Sequence, residues 1–523
     1  MSSATTAPPA NAPAPPPPRA VDYSHRQILV IVSGLLLGML LAALDQTIVS
    51  TALTRISEDL HRTDLYSWVV TSYLLTSTAS TPLYGKISDL FGRKRIFQFA
   101  IVLFLVGSTL AGVSQNMFQL IAFRAVQGLG AGGLMSLPLS IIGDVIPPRD
   151  RGRYQGYFAA MFGAASVVGP LIGGFLVDGP GWRWVFYVNL PVGAIALVVI
   201  NRVLKLDHIR RKASIDWLGA ILLVTGVSGI LIGASEVGNV GHVTTSAAIF
   251  FVGGALLAAI FILWEAHAAD PILPLRLFRN DVFRITTSLG LIMGAVMYGA
   301  VLFLPQYLQT VRGVSPTMSG LHLTPILGGM LVASITAGRF LSRGAGYKKF
   351  VVFGASMLLA GTYLLTLLRV DTSFWALSGF IVILGVGMGL SSQTTVVATQ
   401  NSVDRSDMGV ATSSITFCRT LGGAIGAAVL GAILIARSRA TQAHEIAVAT
   451  KNAVAAHGNN AASTALGQSD GIKHAFVNGM TDAYLWTIPL AAVGLLVALF
   501  LREVDLRTSN RVDNRETAAT SAV

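Results

Sequence analysis

The sequence predicts an all-α polytopic membrane protein, built from two pseudo-symmetric six-helix bundles and two extra central helices, 14 spans in total. Three observations lead to this prediction. The chain of 523 residues is 53% hydrophobic and only 12% charged, whereas soluble domains carry about 25% charged residues. Apolar runs of about 20 residues, the length needed to cross a bilayer, recur along the chain. A weak internal repeat relates the second run to the tenth.

Each apolar run is a predicted span. They lie near 28–50, 66–85, 97–115, 118–142, 154–178, 184–204, 217–235, 245–264, 283–308, 321–341, 350–369, 374–398, 409–435 and 483–501. Because the number is even, both termini lie on one side. The tails and loops of that side hold 26 Lys and Arg residues and the opposite loops hold 9. Cytoplasmic loops carry the excess of basic residues, so we expect a cell-membrane protein with both termini cytoplasmic.

The spans divide the chain into domains. The Pro-rich residues 1–27 and the polar residues 502–523 are expected to be cytoplasmic tails, the first of them disordered. The expected bundles are 28–204 and 283–501, joined by a linker, 205–282, that carries the two extra spans. Residues 436–482 are expected to form a long external loop with room for a short helix. The repeat pairs the sequence after Gly85 with the sequence after Gly338, which suits two parallel halves with a substrate site between them.

Asp45 is the only charged residue between Ile28 and Ser50. A charge at mid-bilayer costs roughly 2.5–3.5 kcal/mol, so such residues face a protein interior and are functional candidates. Gly34, Gly38 and Ala42 share a helical face with Asp45, and small residues suit contact between helices. We therefore expect Asp45 to point into the protein.

Arg124 places a guanidinium in the fourth span, on one face with Gln127 and Gly128. At 1.5 Å per residue, Asp45 lies roughly 26 Å above the inner end of its span and Arg124 roughly 9 Å below the outer end of its own. Both belong to the outer half of the membrane and can interact directly or through water. The pair is either a permanent structural ion pair or a titrating site. We favour titration, because intramembrane ionisable groups usually mark ion pathways.

The loop after the second span contains Gly85, Asp89, Gly92 and Arg93. The glycines allow a tight reversal, and Asp89 can pair with Arg93 and cap a neighbouring helix. The alternative is a basic loop that only sets topology. The segment 85–95 closely resembles the signature of the major facilitator superfamily, in which this cluster holds the cytoplasmic side shut in the outward-facing state.

Further segments resemble the same family. Residues 124–130 resemble its second motif, and residues 165–174 resemble the motif of its antiporters, with Ala165 in place of the usual glycine. In the latter, Pro170 kinks the helix. Gly169, Gly173 and Gly174 allow another helix to approach closely. A glycine-rich packing face is the alternative. Residues 44–49 and 182–191 resemble the fourteen-spanner drug:proton antiporters, whose first-span carboxylate is implicated in proton coupling. The resemblance covers roughly residues 28–435.

Several polar and aromatic side chains are candidates for the wall of a substrate cavity, although ordinary helix packing is an equal explanation for them. Arg419 shares a face with three glycines of the thirteenth span and is expected to point inward. The candidates are Tyr73, Gln127, Tyr298, Gln306, Gln393 and Arg419.

The resemblance implies a proton-coupled antiporter that exports amphipathic or hydrophobic, cationic drugs by alternating access, and so a role in multidrug efflux and antibiotic resistance. We expect a monomer in the lipid bilayer that uses the proton gradient and no cofactor. We expect no metal site, because no two histidines have ligand spacing on one helix, and no nucleic-acid partner, because the basic residues form no patch. The alternatives are an exporter of one endogenous lipid, siderophore or antibiotic and, remotely, a polytopic membrane enzyme.

Overall fold

The computed structural model describes residues 25–62, 65–204, 216–268, 270–457 and 461–506. Most of the two predicted tails and the start of the linker, 205–215, lie outside the described residues. Two short 3₁₀ helices precede the ninth and thirteenth predicted spans. The α-helices are α1 His25–Asp59, α2 Tyr66–Phe91, α3 Arg93–Gly112, α4 Met117–Val145, α5 Pro148–Asp178, α6 Trp184–Tyr187, α7 Asn189–Val203, α8 Trp217–Val240, α9 Thr245–Glu265, α10 Asp281–Leu302, α11 Leu304–Thr310, α12 Pro316–His322, α13 Thr324–Ser342, α14 Tyr347–Leu365, α15 Phe374–Ser402, α16 Met408–His457 and α17 Ala461–Leu499.

The prediction of an all-helical, multi-pass membrane fold is confirmed. Thirteen segments of the described chain are long and apolar enough to cross a membrane. The predicted second span, 66–85, is not among them, although α2 has 26 residues. Nine residues of α2 are Ser or Thr, which lowers its hydropathy. The count of fourteen spans therefore stays a prediction.

Three predicted spans are broken into two helices. The sixth divides at Val188, the ninth at Phe303 and the tenth at Leu323. Pro305 and Pro325 each follow a break at the second residue of the new helix, where the fixed φ of proline suits a helix start. At the ninth and tenth spans the break follows from proline, which cannot donate the hydrogen bond that a helix interior needs. Each of the three segments is still long and apolar enough to cross a membrane.

Separate hydrophobic cores fill the two halves. Phe97 and Phe104 of α3 belong to a core formed with α1, α4, α5 and α7. Tyr307 and Tyr484 belong to a core built from α10, α11 and the helices that follow. The extra helices α8 and α9 pack on each other, and Leu223 of α8 shares a smaller core with residues of α2 and α16. Helix α8 thus contacts both halves, and the domain boundaries stay predictions.

The described residues 436–457 and 461–482 are helical and pack on each other as a hairpin, so the expected long loop with a short helix was wrong. Helix α16 has 50 residues, roughly 75 Å, and α17 has 39. Their extensions pack on each other at Gly471 and Gly479, and Arg437 lies 3.5 Å from Asp482. The many Ala residues of this segment are good helix formers. Among the described Asn and His residues that suggested a loop, His444, Asn452, His474 and Asn478 are exposed.

The end of the bundle at which α1 begins and α17 ends is here named the terminal face, and the opposite end the far face. At the terminal face, α2 and α4 of the first half contact α16 of the second, and α5 contacts α15. Gln400 of α15 donates to the carbonyl of Leu139 in α4 and is within 3.2 Å of Arg151 Nη1 in α5. The two halves are therefore joined by buried polar contacts at this face.

Candidate functional site

Asp45 lies at the centre of a buried polar cluster formed by α1, α4 and α7. Its side chain has an exposed fraction of 0%. Arg124 Nη1 donates to Oδ2 at 2.5 Å, while Gln127 Nε2 and Asn189 Nδ2 donate to Oδ1 at 2.8 and 3.0 Å. Three donors, one of them charged, therefore stabilise the ionised carboxylate in a region that water does not reach in this conformation.

Arg124 is held by the same cluster and by an aromatic ring. Its Nη1 also donates to Gln127 Oε1 at 2.7 Å, and its Nε to the carbonyl of Val69 at 3.4 Å. The guanidinium carbon lies 4.2 Å from the centre of the Tyr73 ring. A guanidinium over an aromatic face gains electrostatic stabilisation, and more when it is desolvated. The positive charge thus has a carboxylate, two carbonyl oxygens and a π face as partners.

The cluster changes the interpretation of two predicted cavity residues. Tyr73 and Gln127 are both 0% exposed, so neither lines a cavity in this conformation. The reason is their chemistry: each offers a group that Arg124 or Asp45 needs when it is buried. Asn189, by contrast, was not named as a site residue. Its only signal was its place in the segment 182–191, and its contact with Asp45 depends on how α7 packs against α1.

A second polar cluster lies at the terminal face, around the motif after α2. Arg93 Nη2 is 2.9 Å from Asp89, and Arg93 also pairs with Asp144 of α4. Asp89 Oδ2 accepts from the backbone N–H of Val410, at the start of α16, at 3.1 Å. Burial raises the pKa of Asp89 to about 6, although the positive charge of Arg93 acts in the opposite direction. The carboxylate thus links the two halves at a helix N-terminus, where the dipole favours an anion.

The glycines of this motif have different environments. A Cβ on Gly85 would meet the carbonyl of Gly409 and the side chain of Ser413, both in α16. Gly92 joins α2 to α3 with a φ of 96°, a conformation that side chains disfavour. Gly85 thus permits close contact between the halves, and Gly92 permits the reversal. Asp144 completes the cluster and was missed, because only the fold brings it to Arg93.

The motif in α5 packs against α1. A Cβ on Gly169 would meet the side chain of Thr47, and one on Gly173 would meet Ile48 and Thr51. Gly174 has no neighbouring atom within 4 Å, so it takes no part in this contact. Pro170 lies inside α5, next to the contact. Thr47 follows Asp45 by two residues, so this packing sets the position of the acid's own helix.

The remaining candidates lie in the second half. Tyr298 and Gln306 are exposed, while Gln393 and Arg419 are half-buried. Tyr298 packs on Gly423, one turn beyond Arg419 along α16. The structure does not show contacts that join these four into one site. Within the described ranges, no group of three or more His, Cys, Asp or Glu residues is placed to hold a metal ion.

Two helical halves, one of which buries an ion pair between its helices, have the architecture of a secondary transporter. Residues 35–427 match the family model of the Major Facilitator Superfamily. The chain therefore belongs to that family, and it is a membrane transporter and not an enzyme.

Relatives and a solved structure agree with this assignment. The multidrug transporter protein MdtP of Bacillus subtilis (strain 168) is 38% identical over 411 residues, 78% of this chain and 76% of the relative. Multidrug resistance protein 3 of the same organism is 37% identical over 405 residues, 77% and 79% of the two chains. The structure of the proton:xylose symporter XylE has a TM-score of 0.61 at 15% identity and covers 93% of this chain and 98% of its own. The last likeness concerns the fold alone.

Proposed function

We propose that this protein is a proton-coupled antiporter that exports amphipathic small molecules across the cell membrane by alternating access, with both termini cytoplasmic. The proposal rests chiefly on the Asp45 carboxylate, which lies inside the membrane and is 0% exposed beside Arg124. An ionisable pair at this depth is costly and typically marks an ion pathway. The names of two relatives, a multidrug transporter and a multidrug resistance protein, support export of drugs.

The chemistry of the cluster suggests how a proton acts. Protonation of Asp45 removes the negative charge that attracts Arg124 and turns one carboxylate oxygen into a donor. Gln127 and Asn189, which both donate to Oδ1, then compete for a weaker acceptor. The packing of α1 against α4 and α7 thereby differs in energy between the two protonation states. A proton shifts the balance of conformations to the extent that it binds one of them better.

In the proposed mechanism the two halves separate at the terminal face. In the proposed orientation this face is cytoplasmic, in agreement with the excess of Lys and Arg in its loops. The Asp89 contact with Val410 and the Arg151 contact with Gln400 close it in this conformation. Opening toward the cytoplasm requires these contacts to break, and substrate then enters from inside. A membrane potential adds about 2.3 kcal/mol per charge per 100 mV, which suits export driven by proton entry.

The preference for cationic drugs was implied by the resemblance, and Asp45 is the only acid five residues or more inside a predicted span that could attract a cation. Arg124, Gln127 and Asn189 already occupy that carboxylate, so in this conformation it is not available to a cationic substrate. The proposal therefore covers amphipathic molecules of either charge. Export of a single endogenous compound, the alternative from the sequence, differs from it in substrate range and not in mechanism.

Proton movement in proteoliposomes tests the proposal. The purified full chain is reconstituted with an entrapped pH-sensitive dye, and a zwitterionic fluoroquinolone, which carries an ammonium and a carboxylate, is added. We expect substrate-dependent proton flux from the wild type and none from Asp45→Asn, which keeps the shape of the side chain. Glu58→Gln is the matched control, since it removes an exposed acid from the same helix. Flux from Asp45→Asn equal to that of the wild type contradicts proton coupling through Asp45.

A further inference from the structure

Charged side chains are rare in the interior of the predicted spans. Five residues or more from either end of a span, the sequence holds only Asp45, Arg124 and Arg419. The first two neutralise each other at 2.5 Å. The six spans of the second half contain no Asp or Glu at all. The interior of the protein therefore carries one positive charge in excess, and that charge is on Arg419.

Arg419 has no anionic partner in the described part of the chain. No hydrogen bond or ion pair joins its guanidinium to any described residue, and among those residues Tyr298 is the only titratable group that interacts with it electrostatically. Arg124, by contrast, is bound by a carboxylate, two carbonyl oxygens and an aromatic ring. Arg124 therefore has its hydrogen-bonding and charge partners within the protein, whereas the donors of Arg419 are available to a ligand.

The position of Arg419 suits a substrate site. It lies 11 residues beyond the start of α16, roughly 16 Å above the terminal face and so near the middle of the membrane. Transporters of this architecture bind their substrates near the midplane, between the two halves. The backbone of Arg419 packs against Gly290 and Gly294 of α10. Two neighbours on α16, Phe417 and Leu421, pack toward α2 and α8. Helix α16 therefore carries Arg419 along the contact between the halves.

The side chain is also accessible. Arg419 is half-buried, and the Tyr298 ring is 50% exposed. An unpaired guanidinium facing hydrocarbon is strongly disfavoured, so the accessible side of Arg419 faces a polar space or a ligand. A guanidinium presents five donors in a planar fork that matches a carboxylate or phosphate in two-point contact. Tyr298, which interacts electrostatically with Arg419, carries a further donor, its hydroxyl group.

We propose that Arg419 binds an acidic group of the transported molecule, a carboxylate, sulfonate or phosphate, and that this protein prefers amphipathic substrates that carry one. The inference rests on the proposed export function and defines its substrate class. Three observations support this inference together: the charge of Arg419 is in excess, its guanidinium has no anionic partner among the described residues, and it lies near the middle of the membrane. Recognition of an acid here is independent of the proton site, since Asp45 and Arg124 belong to the other half.

A binding measurement with a matched pair of compounds tests this site. The full chain in nanodiscs of neutral lipid is titrated with a fluoroquinolone and with its ethyl ester, which lacks only the free carboxylate. We expect the wild type to bind the acid roughly tenfold more tightly than the ester, the ratio that one charge-assisted hydrogen-bond pair supplies. Arg419→Gln removes this preference and leaves ester binding unchanged, and Arg419→Lys retains part of it. Unchanged ester affinity shows that the variant is folded.

Two controls separate this inference from general electrostatics and from the proton mechanism. Arg339→Gln removes one exposed positive charge from the same half, and it retains the full preference. Asp45→Asn, which abolishes proton flux under the proposed function, also retains the preference, because no gradient is present. Equal affinities for acid and ester in the wild type, no measurable binding of either, or a preference that survives in Arg419→Gln overturns the inference. So does acid binding without transport of the acid in proteoliposomes, which would assign the site to a resident lipid anion.

Discussion

Replacing Asp45 by Asn and Arg124 by Gln, singly and together, separates the energetic role of the buried pair from its proposed role in proton movement. The paired atoms lie 2.5 Å apart, and both side chains are at most 1% exposed. At an effective dielectric constant of about 20, unit charges at this distance attract by roughly 7 kcal/mol. Desolvation of the two ions, several kcal/mol each, offsets most of that attraction. The pair as a whole therefore contributes little to the free energy of unfolding.

Each single replacement leaves the other charge buried without its counterion. Such a loss costs about 3–5 kcal/mol. The remaining partners reduce it: Arg124 keeps Gln127 and the Tyr73 ring, and Asp45 keeps the amides of Gln127 and Asn189. We expect each single variant to lose about 3 kcal/mol. The double variant buries no charge, so we expect it to lie within about 1 kcal/mol of the wild type.

Thermal unfolding of the four purified proteins in one detergent checks these energies. The expected order places both single variants below the wild type and the double variant. In proteoliposomes the double variant, although stable, gives no substrate-dependent proton flux, because it has no group that takes up a proton. Additive losses in the double variant refute the buried-pair argument. Proton flux from a stable double variant refutes the coupling role and makes the pair purely structural.

Two other predictions concern the remaining motifs. Gly169→Ala places a methyl group against the Thr47 side chain and is expected to lower the free energy of unfolding by about 1–3 kcal/mol. Gly174→Ala meets no atom within 4 Å, so this variant is expected to be neutral or to gain up to about 1 kcal/mol. The unfolding midpoints of the two variants check this prediction, and equal effects contradict it. Burial raises the pKa of Asp89 from 3.8 to about 6, so the carboxyl group binds its proton more tightly in the folded protein. Its contribution to stability is therefore complete below pH about 3.8 and falls by up to roughly 3 kcal/mol as the pH rises through about 6. The unfolding midpoint of the wild type, measured from about pH 4 to pH 7, should therefore fall relative to that of Asp89→Asn, and parallel curves contradict the assignment.

Sequence patterns predicted the features that follow from the bilayer itself. An acid and a guanidinium inside apolar runs are too costly to face lipid, so Asp45 and Arg124 were expected to point inward at similar depth. The structure places them in direct contact. The pairing of Asp89 with Arg93 was predictable because only four positions separate them across the reversal at Gly92, which keeps the two side chains close. That Asp89 also meets the start of α16 agrees with the expected cap on a neighbouring helix.

Other features depend on which helices become neighbours. Asn189 and Asp144 complete the two polar clusters, and each is far in sequence from the residue that it contacts. Tyr73 and Gln127 were equally plausible as cavity residues, because an isolated span does not reveal whether a polar side chain meets substrate or a buried ion. The hairpin of α16 and α17 was missed because its polar composition resembles a loop, while packing between the two extensions stabilises it as helix.

The sequence by itself determined that this chain is a helical membrane protein, and it predicted which three charges lie in the membrane interior. Both follow because the cost of exposing polar groups to hydrocarbon acts on every span separately. Only the tertiary structure decided which of those charges is neutralised. The partners of a buried ion come from other helices, and no local sequence pattern predicts how those helices are arranged in space. Arg124 therefore has a carboxylate partner within the protein, whereas Arg419 has none among the described residues.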